Sequence, residues 1–353
     1  MLSLQNKLSK IFVSFLICLQ LLFLPGCHVP ATKEQPPTSK EQFPEQVEAD
    51  FPTGLVFTDD KLFFTEKGGK LKMLEAGAEK PTTLLSVDVP ELIGYNELGL
   101  LGIALSPSFK SDKQIYLYHS YQKDAQFFNR VVRIEAGKPQ KKPVVIVDGI
   151  NGGSIHNGGK LAFGPDANLY IATGESGNGL LAQNKNSLNG KVLRIKPDGS
   201  LPPGNPFNNK TWSYGHRNIF GMAFDNKGNL FVTENGPESN DEVNQITKGA
   251  NYGWPETTGF SSKFKQPLIV YEQSIAPTGI IFYTGNKYKD LTNKLVFTDY
   301  LNGDVHRLTL KGNRAQDKII AENLQAINAI AQTKDGIIYI ATENRITGLT
   351  IKR

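Results

Sequence analysis

One pattern recurs six times along this chain and leaves few folds open to it. GLVFTDDKLFFTE begins at Gly54, GIALSPSFKSDKQIYLYHSY at Gly102, GKLAFGPDANLYIATGE at Gly159, GMAFDNKGNLFVTEN at Gly221, GIIFYTGNKYKDLTNKLVFTDY at Gly279 and AIAQTKDGIIYIATEN at Ala329. Each copy is a short apolar strand, a turn carrying Asp, Asn, Gly or Lys, and a strand rich in aromatic and β-branched residues, which is hairpin chemistry. The starts lie 48, 57, 62, 58 and 50 residues apart. A four-stranded blade takes roughly 40–50 residues, so each interval holds one blade and a loop. Six units predict an all-β chain folded as a six-bladed β-propeller; a β-sandwich, the alternative, gives no reason for six near-regular copies. No stretch keeps helical periodicity over three turns. A propeller gathers its longer loops on a rigid scaffold at one face. The longest intervals fall between Gly102 and Gly279, so the functional loops are expected there.

The first 26 residues read as an address. Lys7 and Lys10 precede an apolar run of 14 residues, Ile11 to Leu24. That is secretory-signal anatomy, and it is shorter than the about 20 residues of a membrane span. Leu24-Pro25-Gly26-Cys27 then resembles a bacterial lipoprotein signal, which predicts cleavage before Cys27, a lipid on its thiol and a protein outside the cytoplasm, on the cell surface or the periplasmic side. An uncleaved signal anchor is the alternative. Residues 27–50 are polar, Pro-containing and without hydrophobic periodicity, and read as a flexible tether, which leaves 51–353 for the propeller. Two cysteines, one inside the signal, exclude a disulfide scaffold and a Cys-rich metal protein. Lys+Arg 39 against Asp+Glu 34, with no long basic run, gives no argument for a nucleic-acid partner. Neither GxSxG nor HExxH occurs, which argues against the hydrolases that use them.

The middle of the chain carries a family resemblance. GLLGIALSPSFK (99–110), HNGGKLAFGPDANLYIATGE (156–175), GKVLRIKPDGSLPPGNPF (190–207), YGHRNIFGMAFD (214–225) and ENGPESNDEVNQITKGANYGWP (234–255) are similar, in this order, to the soluble quinoprotein glucose/sorbosone dehydrogenases. FPTGLVFTDDKLFFTEKGGKLKML at 51–74 fits too, and APTGIIFYTG at 276–285 more loosely. The family fold is a six-bladed β-propeller, as the repeat count predicts independently. The resemblance implies oxidation of a sugar at its anomeric carbon, pyrroloquinoline quinone (PQQ) as cofactor, Ca2+ beside it and an external electron acceptor. The other class of function the residues allow is a calcium-stabilised propeller that binds a sugar, glycan or protein without redox turnover.

The resemblance also assigns roles. His156 in HNGG matches the family's catalytic base, and an imidazole suits the task because it titrates near neutral pH. Arg217 and Asn218 in GHRN match contacts to the quinone, and a guanidinium offers fixed donors to oxygens and carboxylates. Gly236 and Pro237 match carbonyl ligands of the cofactor's calcium; Glu242 and Tyr252 match ligands of the family's calcium sites, with Asp241 beside them. Hard cations take such oxygen donors. Other positions depart from the family. Glu97, which the resemblance places among the cofactor-binding residues, stands where Gln is common and adds negative charge where a polyanion should sit. Phe220 also stands where Gln is common, Leu301 where a Lys is expected, and Ala326 and Asn328 where a pair of Arg is expected. A tricarboxylate cofactor has lost cations there, and Lys294, Arg307 and Arg345 are the candidates to replace them.

Overall fold

A computed structural model describes residues 42–90, 97–138 and 141–351. The signal segment and Cys27 lie outside the described residues. Six four-stranded antiparallel sheets account for nearly all regular structure. The first five are continuous pieces of chain, at 52–86, 100–151, 158–214, 219–271 and 277–321. The sixth combines Ala329–Gln332, Ile338–Ala341 and Arg345–Gly348 with Gln46–Glu48 from the other end of the chain, outermost in the sheet. The residues expected to be tether up to position 50 therefore include a strand, and the propeller begins earlier than the boundary at 51. The alternation of burial explains it: Val47 is buried between exposed Gln46 and Glu48.

The inner strand of each blade packs on the next, and that of the sixth packs on the first, so the ring closes. Helix among the described residues is confined to Phe109–Asp112, Leu180–Gln183 and the single turn Lys289–Leu291, and no helix is long and apolar enough to cross a membrane. The core lies between blades. Phe63 and Leu71 of the first blade pack with Leu117 and Ile134 of the second, and Leu55 and Phe64 with Tyr339 and Ile346 of the sixth. Apolar faces on both sides of each sheet explain the near-continuous hydrophobic second strands, such as Leu169–Thr173, buried throughout.

The glycines that open the repeats stand where the inner strands crowd the axis. A methyl group on Gly102 would lie 1.9 Å from the Gly159 carbonyl oxygen, and one on Gly221 2.3 Å from that of Thr278. Residue pairing corrects one reading. Leu55 pairs with Phe64, Ile103 with Leu117, Met222 with Val232 and Leu161 with Ile171. The third-blade residue equivalent to Gly54, Gly102 and Gly221 is thus Lys160, one position after the Gly159 at which the sequence repeat starts.

Candidate functional site

Strand order fixes which loops meet. The chain enters each inner strand at one end of the axis and returns to that end after the second strand, so both sets of loops share one face. Their residues line a cavity of about 280 Å³. Glu97, His156, Arg217 and Asn218 come from loops entering the second, third and fourth blades, and Asn235, Gly236 and Pro237 from the loop after a second strand. Six of the eight residues singled out in the sequence therefore face one space. The loops are not confined to the middle of the chain: Lys67, Tyr300 and Asn328 of the first, fifth and sixth blades complete the wall.

His156 is held from three sides. Its φ of 57° is left-handed, a conformation that persists only where surroundings enforce it. Its backbone N–H donates to the Glu97 carboxylate at 2.7 Å, and its carbonyl accepts from Ser176 N–H at 2.9 Å. Beneath it, the Asn157 amide bonds both Asn129 and the backbone of Gly153. The ring nitrogen Nδ1 lies 2.6 Å from Oε1 of Glu175. An ionised carboxylate only accepts, so in the neutral imidazole the proton sits on Nδ1 and the lone pair on Nε2. The His156 side chain keeps 12% exposure, whereas that of Glu175 has 3%.

Glu175 escaped the sequence reading. It closes the segment that opens with His156, but the pairing spans 19 residues of chain. A signal was present in the repeat: other copies also carry an acid at or just after the end of the second strand, at Glu66, Glu234, Asp299 and Glu343. Asn218 joins three blades, its Oδ1 accepting from Gly158 N–H at 3.1 Å and its Nδ2 donating to Glu97 at 3.1 Å. Glu97, expected as added negative charge against a polyanion, spends one carboxylate oxygen on His156 and Asn218.

Arg217 bridges two loops, its guanidinium donating to the Asn235 carbonyl at 3.0 Å and lying over the Trp254 ring at 5.4 Å. Burial pulls its pKa down, opposed by the carboxylates of Glu175, Glu97, Glu234 and Asp241. Lys67 and Lys160 are lowered by burial as well, Lys160 to about 8. The charged side chains on the cavity wall are thus three cations, Lys67, Lys160 and Arg217, and one carboxylate, Glu97. Lys294, Arg307 and Arg345, expected to replace lost cations, are absent from the described lining. Leu301, where a Lys was expected, is 60% exposed.

Three buried polar atoms of lining residues have no partner: Nε of Arg217, Oδ1 of Asn235 and Nδ2 of Asn328. Such orphans call for a ligand. Two donors within a positive wall suit an anionic cofactor with carbonyl and carboxylate oxygens, so the residues fit pyrroloquinoline quinone.

Glu242 and Tyr252 stand beside the cavity, not in it. They line a void of about 10 Å³ that shares Arg217, Asn235 and Gly236 with the main cavity. The Tyr252 hydroxyl is already taken, accepting from Thr247 N–H and donating to the Gln245 carbonyl, so this phenol is packing rather than a free ligand oxygen. Glu242 faces Glu234 across Asn244, whose Nδ2 bonds both and whose buried Oδ1 has no partner. Burial, then the Glu234 charge, raise Glu242 to about 8. Two buried carboxylates, Glu234 and Glu242, beside room for one water-sized particle suit a hard cation. Asp241 is fully buried and organises the rim: its Oδ1 accepts from Gly236 N–H, and its Oδ2 from Ser274 Oγ and the N–H groups of Ile275 and Ala276. A separate cluster, Asp299, Asp304 and His306, could also hold a metal ion. Both ring nitrogens of His306 are engaged, by Asp299 and Asp317.

This fold and loop set recur in known proteins. An aldose sugar dehydrogenase of Escherichia coli is 29% identical over 333 residues, covering 84% of this chain and 88% of that protein. Quinoprotein glucose dehydrogenase B of Acinetobacter calcoaceticus is 32% identical over 298 residues, 72% of this chain and 62% of its own. The structure of a PQQ-bound aldose sugar dehydrogenase from Streptomyces coelicolor matches with a TM-score of 0.76 at 33% identity, over 86% of this chain and 95% of that one. With residues 49–350 matching the family profile as well, this chain belongs to the Glucose / Sorbosone dehydrogenase family.

Proposed function

We propose that the protein is a PQQ-dependent aldose sugar dehydrogenase that oxidises the anomeric carbon of a sugar and passes the electrons to an external acceptor. The observation that carries the reading is the His156–Glu175 pair, whose Nε2 opens on a cavity walled by three cations. Pyrroloquinoline quinone, when bound, supplies the two-electron acceptor. Arg217, Asn218 and Asn328 would hold it, with Gly236 and Pro237 beside its calcium. Nε2 of His156 accepts the proton of the anomeric hydroxyl as the C–H electrons leave the carbon. Glu175 keeps Nδ1 protonated and offsets the charge of the imidazolium. Glu97 fixes the backbone of His156, so the ring cannot drift from the substrate. Calcium at Glu234 and Glu242 would stiffen the same loop.

The experiment is reconstitution of apoprotein with the quinone, with calcium or with chelator, followed by dye reduction with aldoses. His156→Ala should lower turnover by roughly 10²–10⁴, the usual worth of a positioned base, with quinone affinity kept. A variant that turns over normally would remove His156 as the base. Uptake of no quinone at all would favour the binding propeller instead, a reading supported by Leu301, Ala326 and Asn328 where cations were expected. The enzyme works outside the cytoplasm, anchored by lipid on Cys27. Cys27→Ser should release it from the membrane fraction or leave the precursor uncut; a normally processed variant that stays with the membrane would overturn the anchor.

A further inference from the structure

Six equivalent positions ring the axis just below the site. They are Gly54, Gly102, Lys160, Gly221, Gly279 and Ala329, and all six line an axial void of about 90 Å³. Five carry no side chain beyond a methyl group. The third blade alone sends a long cationic chain into the axis. Its Nζ donates to the carbonyls of Thr53 and Leu101 at 2.8 and 3.1 Å, so residues of the second blade, its neighbour, and of the first hold the ammonium. Lys160 lines the upper cavity too, together with Thr53, Phe220 and Asn328, and these four form its floor.

Packing alone does not explain the choice of a lysine. Glycine or alanine serves in every other blade, and an ammonium at this depth loses water it would otherwise bind. Among the described residues no carboxylate lies within 4.0 Å of Nζ. Two of its three donors go to neutral carbonyls, and the ammonium lies over the Phe220 ring at 5.9 Å, so no anion offsets its charge at the cavity floor. Beside it stands Asn328, whose Nδ2 is buried without a partner, at one of the positions where the family carries a cation.

We propose that Lys160 is a positioning residue that anchors a carboxylate of the anionic cofactor from the cavity floor, supplying on the axis a charge missing from the last two blades. The inference rests on the cofactor reading above, and the test separates the two. Full-length apoprotein is titrated with pyrroloquinoline quinone, and in parallel with its trimethyl ester, while intrinsic tryptophan fluorescence reports binding. K160Q should bind the free acid roughly ten- to hundredfold more weakly than wild type, the worth of one charge-assisted hydrogen bond. It should bind the ester as wild type does, and K160R should keep the preference for the acid. A purely structural lysine would weaken acid and ester alike. That result, or an unchanged K160Q, overturns the role of Lys160 and leaves the enzyme reading standing. A wild type that binds neither form overturns both. K160M takes the place of K160Q should the latter fail to fold.

Discussion

The difference between His156 and His216 lies in what stands at Nε2. Both donate through Nδ1 to an acid at or just after the end of the second strand of the same blade, at 2.6 Å to Glu175 and 2.9 Å to Glu234. His216 is shut: Nε2 meets Ser213 Oγ at 2.9 Å, the ring stacks on Tyr252 at 4.5 Å, and its side chain is fully buried. His156 faces the cavity. Glu175→Gln should therefore lower turnover by about 10²–10⁴, since an amide can leave the proton on the wrong nitrogen, and should leave quinone affinity unchanged. His216→Ala should do the reverse, costing about 1–3 kcal/mol for the buried Glu234 it strands, with turnover per folded molecule preserved. Kinetics and melting curves of both variants check this, and equal effects on turnover would erase the distinction. At this scale His156, Arg217 and Asn218 were legible because short motifs carry them. Glu175 was not, because its partner is near only in space. Lys160 was hidden because HNGG drew the repeat start one residue early.

Within a blade, the acid at the end of the second strand is one device put to several uses. Glu66 takes Asp50 N–H and the ammonium of Lys72, Glu343 the hydroxyl of Tyr300, and Glu175 the ring of His156. In each case the carboxylate ties down a loop at the face where the site lies. Asp299 does so in the fifth blade, accepting from Asn302 and Gly303 N–H and from His306. His306 lies between Asp299 and Asp317, at 2.9 and 2.7 Å. Burial opposes its charge, yet the hydrogen bonds to both carboxylates outweigh burial and carry it up to about 9. The folded value then exceeds the unfolded value of about 6.5. Its stabilisation is complete below pH about 6.5 and is lost as pH rises through about 9, amounting to about 3 kcal/mol. Melting temperature followed from pH 6 to 10 should fall more in wild type than in His306→Asn. Parallel curves would mean that the imidazole is neutral in the fold. The sequence displayed the acids as part of the repeat, but not which loop each one holds, since each partner is set by a three-dimensional turn and not by spacing.

The ring as a whole was the most legible feature, because blade count follows from repeat count and needs no contact between distant residues to be guessed. What the repeat could not show is how the ring shuts. The sixth blade supplies three strands of its own, and its fourth comes from before the first repeat, where Gln46, Val47 and Glu48 pair with Thr347, Ile346 and Arg345. A three-residue strand with polar neighbours gives too weak a pattern to stand out from a tether. Its contacts are nonetheless long-range: Val47 joins the cluster of Phe64, Tyr339 and Ile346, Phe43 packs edge-on against Phe57 at 4.9 Å, and the Tyr339 hydroxyl bonds the carbonyls of Phe43 and Pro44. Removing this segment exposes one edge of the sixth blade and opens the seam where the first and last blades meet. Burial of one Val and one Phe is worth about 3–5 kcal/mol, and a large domain loses about 2–4 °C of melting temperature per kcal/mol. A chain starting at residue 49 should thus melt roughly 10 °C below one starting at residue 42, or fail to accumulate. Loss should fall first on the loops of the first and sixth blades, which bring Lys67 and Asn328 to the cavity. Hydrogen exchange on the two chains resolves where protection is lost. Equal melting temperatures, with the seam still protected in the shorter chain, would mean that the propeller closes without this strand.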